Sequence, residues 1–490
     1  MTERRELPRA LRDAGLLARR RFLQQCGFGL GALFAGGGAS SLARAAAAPG
    51  DRLAGLRPPG FGAAKKVLYL HMSGGPPGLD MFDWKPKLKE LDRTLCPEEF
   101  VEGKRLAFIK GRPVLLGPPH GFKQVGKNGS WVTELMPHYE RYVDDICMVH
   151  SMHTDQFNHA PAELLLHTGT QVFGGASMGS WAMYGLGSMN EDLPGFVVML
   201  SGESDPTGGK SLWGSGYLPS HHQGTLMRAK GEPILYVNDP KGMDRSTRRA
   251  TLDALGELNQ LEFERTGSPE TLSRLEQYEL AFRMQASVPE AMDITRESEE
   301  TIAAYGAKPG EKSFANNCLL ARRLLERDVR FVQLYDWGWD IHGTNTGDDL
   351  MDSFPKKCRD IDQPIAALME DLKRTGLLDE TLVVWGGEFG RTPMNEARNG
   401  SKKLGRDHHP DCFTIWLSGA GVKRGFHYGA TDELGYSITE NPVSVRDLQA
   451  TILHLLGLDP YQLKYPHLGL NQRLIGPDDD VAQLCEGILA

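Results

Sequence analysis

The sequence predicts an α/β fold: a doubly wound, mostly parallel sheet flanked by helices, with a helical insertion. Three observations carry that expectation. Short apolar runs rich in β-branched and aromatic residues recur along the chain and stop in polar or Gly/Pro-bearing loops. Segments with helical periodicity separate them, and no low-complexity linker divides the 490 residues. In such a sheet, ligands bind beyond the carboxyl ends of the strands.

The first element precedes the fold. Arg19 and Arg20 stand before Arg21-Phe22-Leu23, a weakly apolar run covers residues 26–42, and a small-residue stretch ends at Ala48-Pro49. This reads as a Tat-type signal peptide over residues 1–48, which makes the Tat translocase an export partner and the periplasm or beyond the destination. Gly36, Gly37 and Gly38 argue against the alternative, an amphipathic helix of the mature protein.

The main α/β domain is expected over residues 62–478. Its strands are read at 65–72, 146–149, 195–200, 329–335, 381–385 and 413–417, and helices at 314–327, 360–374 and 445–456. Residues 244–304 are charged, helix-favouring and strand-free, and read as a helical insertion or lid. Leu252, Leu255, Leu258 and Leu261 within it are expected to form a docking face onto the core.

Composition excludes several classes. With 55 basic against 63 acidic residues, a formal charge of -8 and a pI near 6.0, the chain has no electrostatic footprint for nucleic acid. Beyond residue 48 no run reaches the roughly 18 apolar residues of a membrane span. Cys26 falls in the signal, and Cys96, Cys147, Cys318, Cys358, Cys412 and Cys485 contain no CxxC pair, which excludes a zinc ribbon. One or two disulfides fit an oxidising compartment.

Metal-binding residue types gather just after the predicted strands. Asp80 and Asp83 follow the first; Asp336, Asp340 and His342 follow the fourth; Glu388 and Arg391 follow the fifth; Asp407, His408 and His409 precede the sixth. Asp340 and His342 are two apart, so an extended segment turns both to one side, a spacing that suits one metal ion. Each residue alone also fits a cap, a turn or a solvated position. Trp337, Trp339 and Trp385 fit either sugar stacking or the core.

The motifs GGPPGLDMFD from Gly74, WGWDIH from Trp337, EFGRTP from Glu388, GRDHHP from Gly405 and GAGVKRGFHYGAT from Gly419 resemble those of the exported bacterial domain-of-unknown-function family 1501. That family is grouped with the alkaline phosphatase and sulfatase superfamily. The resemblance implies an alkaline phosphatase-like fold and a hydrolase of sulfate or phosphate monoesters, with a carbohydrate ester among the expected substrates. It also implies one or two divalent metal ions held by Asp80, Asp340, His342, Glu388 and one of His408 and His409. His and carboxylate ligands favour zinc, manganese or iron over calcium.

In that superfamily the nucleophile opens a helix nine residues before a Thr-Gly pair. Here the pair is Thr168-Gly169, and nine residues back stands His159 rather than Ser, Thr or Cys. His159 is therefore open to three roles: nucleophile, general base or ligand. Pro77 stands where relatives commonly carry Ser. Arg391 is expected either to clamp an ester oxyanion or to pair with a carboxylate. Asp83, His153, Asp155 and Asp407 are expected to support the ligands from behind. The rival reading is a metal-stabilised periplasmic binding or interaction protein that has lost hydrolysis.

Overall fold

The computed structural model describes residues 58–490 apart from 104–105, 203, 235–238, 240–241, 397–399 and 478–481. The Tat-type signal expected over residues 1–48 lies outside the described residues. The strands of the main sheet are β1 (Lys66–Ser73), β2 (Ile146–His153), β3 (Phe196–Ser201), β4 (Thr225–Met227), β5 (Phe331–Trp337), β6 (Thr381–Gly386), β7 (Phe413–Gly419), β8 (Phe426–Tyr428) and β9 (Val443–Ser444). Their order is β8-β2-β7-β6-β1-β5-β3-β4, with β9 paired to β2. Only β7 runs against the rest: its pairings with β2 and β6 are antiparallel, while β1 is parallel to both β5 and β6.

Alternation along β1 shows why the sheet is covered on both sides. Leu68, Leu70 and Met72 enter one apolar cluster, while Val67 and Tyr69 enter another. The first cluster is closed by α5 (Phe314–Leu325) and α6 (Ser353–Arg374), and the second by α1 (His159–Thr168), α2 (Met178–Leu186) and α7 (Val445–Leu455). On α6 the apolar residues Ile361, Ile365, Leu368 and Leu372 recur at helical spacing and are all buried. α7 starts at a capping box in which the Ser444 side chain accepts from the Asp447 N–H and the Asp447 carboxylate accepts from the Ser444 N–H.

The strand at 146–149 is longer than expected. The strand runs on to His153 because, past an irregularity in the ladder, Met152 pairs with Phe413 of β7 and Val443 of β9, and His153 pairs with Ser444 of β9, which alternation of apolar residues does not register. The short edge strands β4, β8 and β9 carry too few residues to show a period. Between β4 and β5 lie two long helices, α3 (Arg245–Thr266) and α4 (Pro269–Met292), joined in part by Arg249 Nη1 to Glu279 Oε2 at 2.8 Å.

The leucine stripe on α3 is a correction. Leu252 is 4% exposed, but Leu258 and Leu261 are 62% and 63% exposed. Residues spaced by three drift round a helix, since about 100° per residue carries Leu261 about 180° away from Leu252. Four leucines at that spacing do not share a face. The disulfide expectation is corrected as well: the six cysteines among the described residues are free and buried. No helix among the described residues is long and apolar enough to cross a membrane.

Candidate metal centre

β6, β1 and β5 are neighbours, and the loops leaving their carboxyl ends converge. The loop after β5 brings Asp340 and His342; the loop after β6 brings Glu388 and then a two-residue ribbon in which Arg391 pairs with His408. His159 arrives as the first residue of α1. Glycine permits the close approach of these backbones. A Cβ on Gly74, whose φ is +114°, would lie 2.5 Å from the Asp340 nitrogen. A Cβ on Gly405 would lie 2.0 Å from the His342 carbonyl carbon.

His159, Asp340, His342 and His408 offer ligand atoms that all lie within 4.8 Å of one another. Three imidazole Nε2 atoms meet one carboxylate oxygen: Asp340 Oδ1 lies 2.7 Å from His342, 3.1 Å from His159 and 3.2 Å from His408. The far side of each ring faces an acceptor. His159 Nδ1 is 2.5 Å from Glu388 Oε1, His408 Nδ1 is 2.6 Å from the Phe157 carbonyl, and His342 Nδ1 contacts Glu396 Oε2.

A neutral ring that donates Nδ1–H to such an acceptor presents a lone pair at Nε2. Three lone pairs converging on a carboxylate oxygen are unfavourable unless positive charge lies between them. The donor set therefore fits a divalent transition-metal cation, with Glu388, Glu396 and the Phe157 carbonyl orienting the imidazoles from behind.

Burial and the neighbouring charges push these groups in different directions. Burial works to lower the His159 pKa, yet the Asp340 and Glu388 carboxylates outweigh it and raise the imidazole from 6.5 to about 9. Burial works to raise Asp340, but Arg391 and the three imidazoles hold its carboxyl well below the usual carboxylate range. For His408, burial first and Arg391 second lower the value to about 4.

Other expected residues go elsewhere. Asp80 is not in the cluster. Both its oxygens are gripped by Arg406, Nε to Oδ2 at 2.6 Å and Nη2 to Oδ1 at 2.9 Å, and both residues are buried. A carboxylate whose two oxygens are satisfied by one guanidinium is a structural ion pair. His409 turns the opposite way from His408, as neighbours on a strand do, and its Nε2 meets the Tyr436 carbonyl at 2.6 Å.

Of the two readings of Arg391, the structure shows the ion pair. Nη2 lies 2.5 Å from Asp340 Oδ1 and also contacts the Gly74 carbonyl, Nε reaches the Gly75 carbonyl at 2.9 Å, and Nη1 reaches the Arg406 carbonyl at 3.0 Å. That guanidinium has little left to offer an oxyanion.

The supporting residues also divide. Asp407 accepts from the backbone N–H groups of Phe108, Ile109 and His408 at 2.7, 3.1 and 2.8 Å, which holds the Phe108 ring against His342 and His408. Asp83 instead accepts from Thr431 Oγ1 at 2.7 Å and pairs with Lys85. His153 lies at the end of β2 opposite Ser444, outside the Asp340 cluster, and Asp155 is exposed. Asp336 is held by Ser201 Oγ at 2.9 Å, by Trp339 Nε1 at 3.1 Å and by Lys357. Trp385 is core, stacked on Trp416, while Trp337 lies edge-on to His159 with centroids 5.9 Å apart.

Glu388 faces two ways: besides His159 it approaches His71 of β1 and Glu163 of α1, a second buried group. Sequence reasoning passed over His71, Glu163 and Glu396. Glu163 had a signal, as the lone carboxylate of an apolar helix segment four residues, about one turn, after His159.

A family model spans residues 64–485, nearly all of the described chain. The chain belongs to the DUF1501 family. Its members are described as proteins of unknown function. This DUF1501 chain is also similar to lipoteichoic acid synthase 2 of Bacillus subtilis (strain 168), 28% identical over 179 residues, which is 33% of the chain and 25% of the relative. It is 27% identical over 125 residues to the lipoteichoic acid synthase of Staphylococcus saprophyticus, 24% of the chain and 18% of the relative. The chain thus spans a quarter or less of the length of these relatives.

Among solved structures, the lipoteichoic acid synthase LtaP of Listeria monocytogenes aligns with 86% of the chain and 76% of its own, at 10% identity and a TM-score of 0.36. The PsFucS1 sulfatase of Pseudoalteromonas sp. aligns with 81% of the chain and 68% of its own, at 12% identity and a TM-score of 0.34.

Proposed function

We propose that this chain is an exported, metal-dependent hydrolase of sulfate or phosphate monoesters, with a small-molecule or glycan ester as substrate. The observation that carries the reading is the meeting of the His159, His342 and His408 Nε2 atoms at Asp340 Oδ1, with an acceptor behind every ring. Asp340, His342 and His408 are the residues that would hold the cation. Bound there, a zinc, manganese or iron ion would supply Lewis acidity toward the ester oxygens.

The chain's own contribution centres on His159. Glu388 holds its Nδ1, and with the Asp340 charge committed to a cation the pull that raises the imidazole to about 9 would weaken, leaving Nε2 as the atom to attack the ester or to accept a proton. The Glu388 carboxylate also supports the positive charge that either act leaves on the ring. Trp337 and Phe389 flank the imidazole, at ring-centroid distances of 5.9 and 4.9 Å, and exclude water from its sides. Arg391 is a positioning residue that ties Asp340 to the Gly74-Gly75 backbone. The Tat-type signal at residues 1–48 supports periplasmic work.

One observation favours the rival reading, a metal-stabilised binding protein: Arg391, the cation nearest the centre, is consumed by carbonyls and Asp340. Assay of aryl sulfates, aryl phosphates and sulfated glycans with zinc or manganese separates the two. Turnover is expected, and His159→Ala should lower kcat about a hundredfold or more. Unchanged metal content in that variant marks His159 as nucleophile or base, whereas a lost ion marks it as a ligand. No turnover above the metal blank across the panel removes the hydrolase reading and leaves the binding protein.

A further inference from the structure

Beneath the Asp340 centre, a second set of donors is sealed inside the core. His71 follows Val67 and Tyr69 on the same face of β1, Glu163 lies on α1 four residues after His159, and Glu388 comes from the loop after β6. All three side chains are 0% exposed.

Donors hold each carboxylate so that one oxygen turns toward His71. Glu163 Oε2 accepts from Thr207 Oγ1 and from the Gly208 N–H, both at 2.7 Å. Glu388 Oε1 accepts from the Gly74 N–H at 2.9 Å and faces His159 Nδ1 at 2.5 Å, while Oε2 has only a longer Gly74 contact at 3.3 Å. Glu163 Oε1 and both His71 nitrogens have no hydrogen-bond partner. Buried polar atoms are rarely left so, because each costs about 1–3 kcal/mol.

The spacing decides what fills the gap. His71 Nε2 is 3.7 Å from Glu163 Oε1 and 3.6 Å from Glu388 Oε2. A protonated imidazole bound to a carboxylate sits at about 2.7–2.9 Å. Two ligand atoms each about 2.0–2.2 Å from one ion, at tetrahedral to trigonal angles, lie about 3.3–3.8 Å apart.

We propose that His71 Nε2, Glu163 Oε1 and Glu388 Oε2 form a second, enclosed site for a divalent transition-metal ion. One imidazole and two carboxylates are a donor set for zinc, manganese or ferrous iron, and the two negative charges cancel the ion's two positive ones in a dry interior. The rings of His167 and Tyr335 pack on His71 at 4.6 and 5.2 Å, so the ion supports structure rather than meeting substrate. Glu388 joins the two sites, with Oε2 on the enclosed ion and Oε1 on His159. The inference rests on reading the chain as a metal protein and does not require hydrolysis.

Anomalous diffraction at the zinc edge, on the full mature chain purified with added zinc, tests it together with elemental analysis. Peaks are expected both among His71, Glu163 and Glu388 and among Asp340, His342 and His408. Glu163→Gln should abolish only the first and lower the content by about one ion per chain, while His342→Ala should abolish only the second. EDTA should strip the half-open Asp340 ion from the folded protein and release the enclosed ion only on unfolding in urea.

A peak at Asp340 alone, or undiminished zinc in Glu163→Gln, overturns the enclosed site and leaves the hydrolase reading standing. A peak at His71 alone supports the enclosed site and removes the cation on which that reading depends. No peak overturns both. If Glu163→Gln fails to fold, the wild-type map still decides.

Discussion

Asp80 and Glu388 follow neighbouring strands, both are buried acids, and on sequence grounds both qualify as ligands. Asp80 has both oxygens bound by Arg406, whereas Glu388 divides its oxygens between His159 and the space before His71. A third buried acid, Asp362 on α6, accepts the His138 N–H on Oδ2 at 2.8 Å and has no cation bonded to it among the described residues, while its Oδ1 is without a hydrogen-bond partner. The difference teaches that a buried carboxylate's role is set by what compensates its charge: a guanidinium, a convergent donor set, or a proton.

The largest effect expected from this comparison is at the Asp80 pair. Arg406→Leu strands an uncompensated carboxylate in the core and should cost about 3–5 kcal/mol in urea unfolding. Replacing both partners by Leu should recover most of that loss. Metal content per folded chain should stay at the wild-type level in both variants. A loss of metal with Arg406 would make Asp80 part of the metal centre after all and break the comparison.

A smaller effect is expected behind His342. Glu396→Gln keeps a group of the same shape beside Nδ1 but removes the negative charge that strengthens the ring as a ligand. Zinc affinity at the Asp340 centre should fall about 10–100-fold by competitive chelator titration. Unaltered affinity would mean that Glu396 is only a packing neighbour.

These contrasts also show how much the sequence could tell. Asp340, His342 and His408 were legible because chemistry-bearing residues after successive strands of a doubly wound sheet meet at one edge, and the structure brings them together. Strand and helix order was legible for the same kind of reason, since β1, β5 and β6 carry predominantly apolar runs. Asp80 was misread because the local pattern shows an acid after a strand but not the arginine 326 residues away that neutralises it. His71 and Glu163 were passed over because each sits inside a regular element, where a single polar residue looks like a tolerated exception. Their meaning appears only when β1, α1 and the loop after β6 are packed. The leucines of α3 show the reverse failure, a regular spacing taken for a face.

Asp362 supplies the gentlest test, through pH. Burial raises its carboxyl from 3.8 to about 6, with the His138 N–H working in the opposite direction. The folded state thus holds a proton that the unfolded chain has released between about pH 4 and pH 6. Stability from this group is present below the unfolded value and is lost as pH rises through the folded one, since the folded state binds more protons in that window. The loss should be roughly 1–3 kcal/mol across it. Asp362→Asn can keep an oxygen for the His138 N–H and cannot ionise. Its stability relative to wild type, followed by urea unfolding from pH 4 to 7, should therefore improve by that amount as pH rises. Parallel profiles would mean that Asp362 is compensated like Asp80, with the neighbouring Arg141 guanidinium as the partner to test next.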